Sequence, residues 1–383
     1  MSTDRSAGHR RAGLTATLRS TLREAAQESA LTGRPNAAAL SGLRESGLLA
    51  TAVPKEYGGL GGSAPEVNRV VEQLAVANPS IAIIAYQHCS VALRIAVWGT
   101  PAQKAGLLPR LADGSCLAAS AWSEAASRPG TRHADSTAVQ GGDGHWTLQG
   151  VKAFTTAACL ADLYLVLVHT PPPTTAAGTG RREPRTFFLL PSSTPGLYPE
   201  LSLDLAGMRG SATGVVSLRH CSAPDTCRLG PPGDAQAIIA EGRATGATLG
   251  AVAVGIAQAA MDYAVQHATH SGLLARQLVR HRLTDLATRL EAARGIVERA
   301  GACTAPRPEL TTLHSKLFAS TTAEELCLEA ARLLGSSGYQ SGAVLPRLLA
   351  DARGVSLMGP SNELCRQLLA LSWLNKDGPK PTA

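Results

Sequence analysis

Apolar residues recur at spacings of three and four along much of the stretch from Leu14 to Leu111, most clearly over Val67 to Ala77, and Ala, Leu, Glu and Arg dominate its composition. This is the period of amphipathic helices, and it predicts an N-terminal α-helical domain over residues 1–115. From Cys116 to Leu229 the pattern changes to short runs such as Trp146–Leu148, Leu163–Val168 and Thr186–Leu190, separated by Gly, Pro and Asp clusters. Such runs read as strands, and they predict a compact antiparallel, β-barrel-like domain over 116–230. The Pro-, Thr-, Gly- and Arg-rich segment from Pro171 to Arg185 reads as a solvated hairpin loop. After Pro231-Pro232-Gly233 the helical period returns, with expected helices at Ala235–Thr269, Leu273–Ala300, Glu309–Leu334 and Asn362–Leu374, the last capped by Ser361. Together they predict an up-down four-helix bundle over 231–383, in a fold that is α+β and mainly α.

Composition narrows the picture only slightly. The 383 residues are 44% hydrophobic, and the mean hydropathy is +0.03. No apolar run of membrane-spanning length is evident, and the first residues lack a signal-peptide core, so a cytoplasmic protein outside the membrane is expected. A formal charge of +7 suits nucleic acid, coenzyme A phosphates or an acidic carrier protein. Aromatic residues at 4%, with no basic-aromatic stripe, argue against nucleic acid. The eight cysteines are scattered, and neither they nor His88, His267, His270, His281 and His314 show metal-ligand spacing. Reduced structural thiols and no metal are expected.

Candidate chemistry comes from an ordered set of strings. Pro54-Lys55-Glu56-Tyr57-Gly58-Gly59-Leu60-Gly61-Gly62 is followed by Gly99-Thr100-Pro101-Ala102-Gln103-Lys104 and Leu108-Pro109-Arg110-Leu111-Ala112-Asp113-Gly114. Gly150-Val151-Lys152-Ala153-Phe154-Thr155-Thr156, Gly207-Met208-Arg209-Gly210-Ser211-Ala212-Thr213, Gly255-Ile256-Ala257-Gln258 and Asp351-Ala352-Arg353 continue the series. In this order and spacing the chain resembles the acyl-CoA dehydrogenase family. The resemblance implies FAD held between the domains and across a dimer interface, an acyl thioester of coenzyme A or of an acyl carrier protein as substrate, and a homodimer or homotetramer.

The resemblance also implies roles. Phe154 matches the aromatic plate for the flavin, Thr155 and Thr156 its following residues, and Trp122 and Ser123 the second flavin-contacting string. Gln277, Arg332 and Gly335 fall where contacts to a neighbouring subunit's FAD are made, and Arg243 where substrate is bound. Departures accompany these matches. In the run Leu357-Met358-Gly359-Pro360-Ser361-Asn362-Glu363, Gly359 stands at the position of the catalytic carboxylate, and Gly242 stands where some relatives place it instead. A glycine accepts no proton. Glu241 is the nearest carboxylate in sequence and the candidate base, although one helical step turns a side chain by about 100°. Glu363 lies one turn beyond Gly359 and reads as an exposed helix carboxylate.

The Arg-x-x-Phe-Gly string is absent from the shortened connection around Ser271-Gly272, and Gln-x-x-Gly-Gly reads Arg332-Leu333-Leu334-Gly335-Ser336. The loop after Ser123-Glu124 carries Arg128, Arg132 and His133, as an anionic phosphopantetheine handle would favour. The leading expectation is a flavin-dependent acyl-thioester oxidoreductase acting on a CH–CH group with an altered base. A flavin monooxygenase on the same fold, and a non-catalytic partner subunit hetero-oligomerised with an active relative, are the alternatives.

Overall fold

The computed structural model describes residues 14–125, 135–142, 144–170, 184–340 and 343–377. Helices α1 (Ala16–Thr32), α2 (Ala37–Glu45), α3 (Ala64–Ala77), α4 (Pro79–Trp98) and α5 (Pro101–Ala112) come first. Their boundaries are set by local chemistry. Ser63 and Glu66 form a capping box on α3, Thr100 and Gln103 form one on α5, and Gly33 ends α1 in the left-handed region at φ 69°. Helix α4 is the core of this layer, and by length and composition it is apolar enough to cross a bilayer, contrary to the reading of the sequence. Two thirds of its apolar window is buried within the protein, the behaviour of a core helix.

Strands β1 (Ala118–Ala121), β2 (Thr137–Gln140), β3 (His145–Thr155), β4 (Leu163–His169), β5 (Arg185–Pro191), β6 (Leu197–Glu200), β7 (Gly214–Pro224) and β8 (Arg228–Leu229) form one sheet. Its path runs β6-β7-β3-β2-β4-β5-β8, with β1 added beside β4. Most pairs are antiparallel, as expected, but β1 and β2 each run parallel to β4, so the sheet is mixed. One face carries its own core, in which Tyr164, Phe188 and Leu190 pack with Trp146. The other face shares the helical core through Leu163, Leu165 and Phe187. Most of the expected 171–185 loop lies outside the described residues.

The C-terminal helices are α6 (Ala235–Ala244), α7 (Gly250–His270), α8 (Gln277–Gly301), α9 (Pro308–Leu334), α10 (Val344–Leu357) and α11 (Asn362–Asp377). Two corrections follow. The expected helix at 235–269 is broken between α6 and α7, because Gly246 adopts φ 84° and a Cβ there would lie 2.1 Å from the Ala300 carbonyl oxygen. Helix α10 was not expected at all. Elsewhere the alternating small residues of α7 serve close packing, and a Cβ on Gly255 would meet the Ala75 Cβ of α3 at 2.5 Å. The Ser361 cap is present, its Oγ accepting from Leu364 N at 3.3 Å.

Buried polar contacts tie the layers together. Asn68 on α3 donates to the Gly246 carbonyl and accepts from Thr248 N, each at 3.0 Å. A Cβ on Gly207 would sit 2.3 Å from the Ala350 carbonyl, so the connection between β6 and β7 can approach α10 this closely only through a glycine. Beside it, Asp351 accepts a hydrogen bond from Met208 N and lies 3.7 Å from Arg347.

Burial raises the Asp351 pKa from 3.8 to about 6, opposed by the Met208 bond and the Arg347 charge. Its folded pKa exceeds its unfolded one, so the native state keeps the proton longer. The stability this group contributes is complete below about pH 4 and is lost as the pH rises through about 6, a span worth about 3 kcal/mol. Asp351→Asn is expected to flatten the dependence of the unfolding midpoint on pH across that window. An unchanged slope in chemical denaturation series would remove Asp351 as its source.

Candidate active site

Beyond β1 the chain continues alongside β3. Ala153 N donates to the Ser123 carbonyl at 2.9 Å, and Ala125 N donates to the Val151 carbonyl at 3.0 Å. The strings around Trp122-Ser123 and Phe154-Thr155-Thr156, remote in sequence, are thereby brought side by side. Underneath, Lys152 is wholly buried and pairs with Glu124, whose other oxygen accepts from Ser136 N at 3.2 Å and Ser136 Oγ at 2.7 Å. Burial lowers the Lys152 pKa, and the hydrogen bond and charge of Glu124 oppose that fall.

Phe154 sits at a register shift between β3 and β7 with φ 53°, a left-handed conformation costly for a bulky residue. Its side chain is 60% exposed, whereas Thr155 and Thr156 behind it are buried. The Thr155 hydroxyl is buried without a partner, and so are Ser120 Oγ and Trp122 Nε1 on the adjoining strand. A strained strand end that presents an aromatic face beside unfilled polar atoms is suited to a flat ligand with a polar edge. These residues fit a flavin ring, with Phe154 and Trp122 as its apolar contacts and Ser123, Thr155 and Thr156 as its polar ones.

The wall opposite comes from α4 and α6. Arg94 on α4 is buried, with its guanidinium carbon 4.9 Å from the centre of the Trp122 ring. A Cβ on Gly242 would lie 2.6 Å from Arg94 Nη2. The second position at which a carboxylate base is known in relatives is therefore covered by a guanidinium. Arg94 was missed by motif reading, although the signal was there, since apart from His88 it is the only charged or titratable-cation residue in an otherwise apolar 20-residue helix.

Glu241 is half-buried, and its charge acts on Arg94 through space. Arg243 is half-buried too; its pKa is lowered, chiefly by burial, and the charges of Cys365 and Glu309 oppose this. Its backbone carbonyl accepts from Thr312 Oγ1 at 2.9 Å. Gly359 lies in the turn between α10 and α11, where a Cβ would meet no atom within 4 Å. Glu363 is exposed and bonded to Arg366 at 2.6 Å, so it does not stand in for the missing base. Lys316 braces this turn, donating to the Ser356 carbonyl at 3.1 Å and to Asn362 Oδ1 at 2.7 Å, and burial lowers its pKa to about 8. A cavity of about 450 Å³ opens beside the turn between Thr321, Glu324, Ser356 and Asn362.

Gln277, Arg332 and Gly335 are not part of this cleft within one chain. Ion pairs Arg282–Glu329 and Arg289–Glu325, both at 3.3 Å, show α8 and α9 antiparallel, which puts the three residues at one end of the bundle. Thr312, against Arg243, is 20 residues and about 30 Å of helix away from Arg332. Gln277 and Arg332 are exposed, and Arg332 is paired with Glu329. Most of the basic loop after Ala125 lies outside the described residues. Among the described residues, Glu124, Asp135 and His169 bring possible metal-ligand atoms within 4.8 Å of one another, but Glu124 is committed to Lys152.

Family models for the acyl-CoA dehydrogenase N-terminal, middle and C-terminal domains match residues 11–115, 119–221 and 235–373. The chain belongs to the acyl-CoA dehydrogenase family. An acyl-CoA dehydrogenase of Bacillus subtilis (strain 168) is 29% identical over 346 residues, covering 85% of this chain and 86% of the relative. The L-prolyl-[peptidyl-carrier protein] dehydrogenase of Pseudomonas fluorescens is 25% identical over 337 residues, covering 85% and 87%. Among solved structures, the FMN-bound form of TdsC, a dibenzothiophene monooxygenase from Paenibacillus sp. A11-2, aligns with a TM-score of 0.81 at 22% identity, covering 96% of this chain and 97% of that one.

Proposed function

We propose that this acyl-CoA dehydrogenase family member is a flavin-dependent oxidoreductase that removes hydrogens from the α and β carbons of an acyl thioester. The observation that carries the reading is Phe154, held exposed in a strained conformation beside the unpartnered Thr155 hydroxyl. A bound flavin supplies the acceptor for the β-hydride. The chain's own part is to hold the ring with Phe154, Trp122, Ser123, Thr155 and Thr156, to position the acyl group between that surface and α6, and to make the α-hydrogen acidic. Glu241 is the carboxylate available near α6 for the proton, and Arg243 is the candidate thioester contact.

FAD is the form that Gln277, Arg332 and Gly335 would serve across a homodimer, because a guanidinium pairs well with a pyrophosphate. The acyl carrier is coenzyme A or, as in the prolyl relative's name, a carrier protein, and the positive charge of +7 suits either acidic handle. A second reading, a monooxygenase, is supported by the two glycines at the base positions, and TdsC shows that the fold accommodates that reaction class.

The purified protein is expected to show the visible absorption of oxidised flavin, and chromatography of the heat-released cofactor is expected to yield FAD. Anaerobic mixing with acyl-CoA and acyl-carrier thioesters is expected to bleach it. A protein that stays colourless after reconstitution with FAD or FMN would exclude both enzyme readings and leave a partner subunit. A flavoprotein that does not bleach, yet consumes oxygen with external reduced flavin, would replace dehydrogenation by the monooxygenase reading.

A further inference from the structure

Arg94 carries a buried charge with no ion-pair partner among the described residues. Its residue is 9% exposed, its Nη1 donates to the Ser90 carbonyl at 2.7 Å and also to the Ser90 hydroxyl, and its Nε is buried without a partner. Glu241 attracts it through space, with no ion-pair contact to Arg94 among the described residues. Buried charges are ordinarily paired, since leaving one alone forfeits its hydration without return. The unfilled neighbours have the same character. Trp122 Nε1, under the guanidinium, and Trp98 Nε1, one turn along α4, are both buried donors without acceptors. Indole N–H and guanidinium groups donate only, so the missing ligand must be rich in acceptors and negatively charged.

The place of the guanidinium is set by residues on two helices. Gly242 has no side chain to offer as a base, and its missing Cβ is what admits the guanidinium at this place. Trp122 covers the cation from the β-domain side, in the same strand extension that borders Phe154. The charge therefore sits between Trp122 and α6, away from the exposed bundle end that would serve a cofactor pyrophosphate.

We propose that Arg94, with Trp122 against its face and Gly242 beside it, is a carboxylate-binding subsite, and that the protein selects acyl groups bearing a free carboxylate over neutral acyl groups of equal length. The proposal rests on the acyl-thioester reading and names its substrate class.

Succinate, its neutral diamide and inorganic phosphate would be titrated calorimetrically into the purified full chain, its Arg94→Met and Arg94→Lys variants, and Gly242→Ala. Succinate is expected to bind the wild type and the diamide not to bind. Arg94→Met should weaken succinate by about tenfold to a hundredfold, with partial retention in Arg94→Lys. Gly242→Ala keeps the charge but displaces the guanidinium, and it should weaken succinate in the same direction, which gives a readout if Arg94→Met does not fold. In the second arm, kcat/KM for succinyl-CoA should exceed that for butyryl-CoA, and Arg94→Met should reverse the order.

Succinate binding that is absent, unaltered in Arg94→Met and Gly242→Ala, or matched by phosphate would overturn the subsite. The titration requires neither flavin nor turnover. Succinate binding by a protein that never takes up flavin would therefore defeat only the enzymatic reading. Bleaching by butyryl-CoA without any preference for succinyl-CoA would defeat only the subsite.

Discussion

Gly359→Glu is expected to raise the rate of acyl-thioester dehydrogenation by about 10² to 10⁴, the range in which a positioned general base contributes. A Cβ at position 359 meets nothing within 4 Å, so the side chain can be added without displacing a neighbour. Its φ is not in the left-handed region, so an L residue brings no backbone strain. The frame that would aim the carboxylate is intact, since Ser361 caps α11 and Lys316 holds Asn362. Gly242→Glu is the contrasting variant. Its Cβ would crowd Arg94 Nη2 at 2.6 Å, and the new carboxylate would pair with the guanidinium, which lowers its basicity. The gain there should be much smaller. Single-turnover bleaching under anaerobic conditions measures both. A folded, flavin-loaded Gly359→Glu protein no faster than the wild type would show that the missing carboxylate does not limit the reaction.

The largest loss of stability is expected from Glu124→Ala, about 3 to 5 kcal/mol, because it leaves the ammonium of Lys152 buried and unpaired. Lys152 has no solvent-exposed side-chain surface, and the Ser136 hydroxyl and N–H would lose their acceptor at the same time. Replacing both partners removes the uncompensated charge, so Glu124→Ala combined with Lys152→Met should recover most of the loss. Denaturant titration of the four proteins forms the cycle. A single-variant loss below about 1 kcal/mol would mean that the pair contributes no more than an exposed one. The effect should reach function as well, since Lys152 lies two residues before Phe154 and holds β3 where the Trp122-Ser123 strand crosses it.

Several features were legible without coordinates because they depend on neighbours in sequence. The helical period of the first and last thirds, the strand runs containing Trp146, Tyr164 and Phe187, and the Ser361 cap are local patterns, and apart from the break in the expected 235–269 helix they formed where predicted. The strings around Trp122-Ser123 and Phe154-Thr155-Thr156 were legible through resemblance, which singled out Phe154 and Thr155 before the strain at Phe154 and the unpartnered Thr155 hydroxyl were known. Helix α10 was not expected, although Leu345, Leu348, Ala352 and Val355 recur at helical spacing and are buried; Pro346, Asp351 and Gly354 interrupt that pattern within its 14 residues. Its contact with the connection between β6 and β7 comes from Asp351 and Gly207, a partnership across 144 residues of chain. The break between α6 and α7 escaped notice for a similar reason, because Gly246 is set by a carbonyl on α8.

The amino-acid order by itself determined the class of fold and placed an aromatic at 154 and glycines at 242 and 359, since each is a matter of residue identity and short-range period. Tertiary structure alone decided that a cation lies against Gly242. Arg94 and Gly242 are 148 positions apart, and nothing in either segment announces the other. Only the packing of α4 against α6 and the β1 extension brings the guanidinium to the glycine and removes it from water, and a charge matters to chemistry through its distance and its solvation.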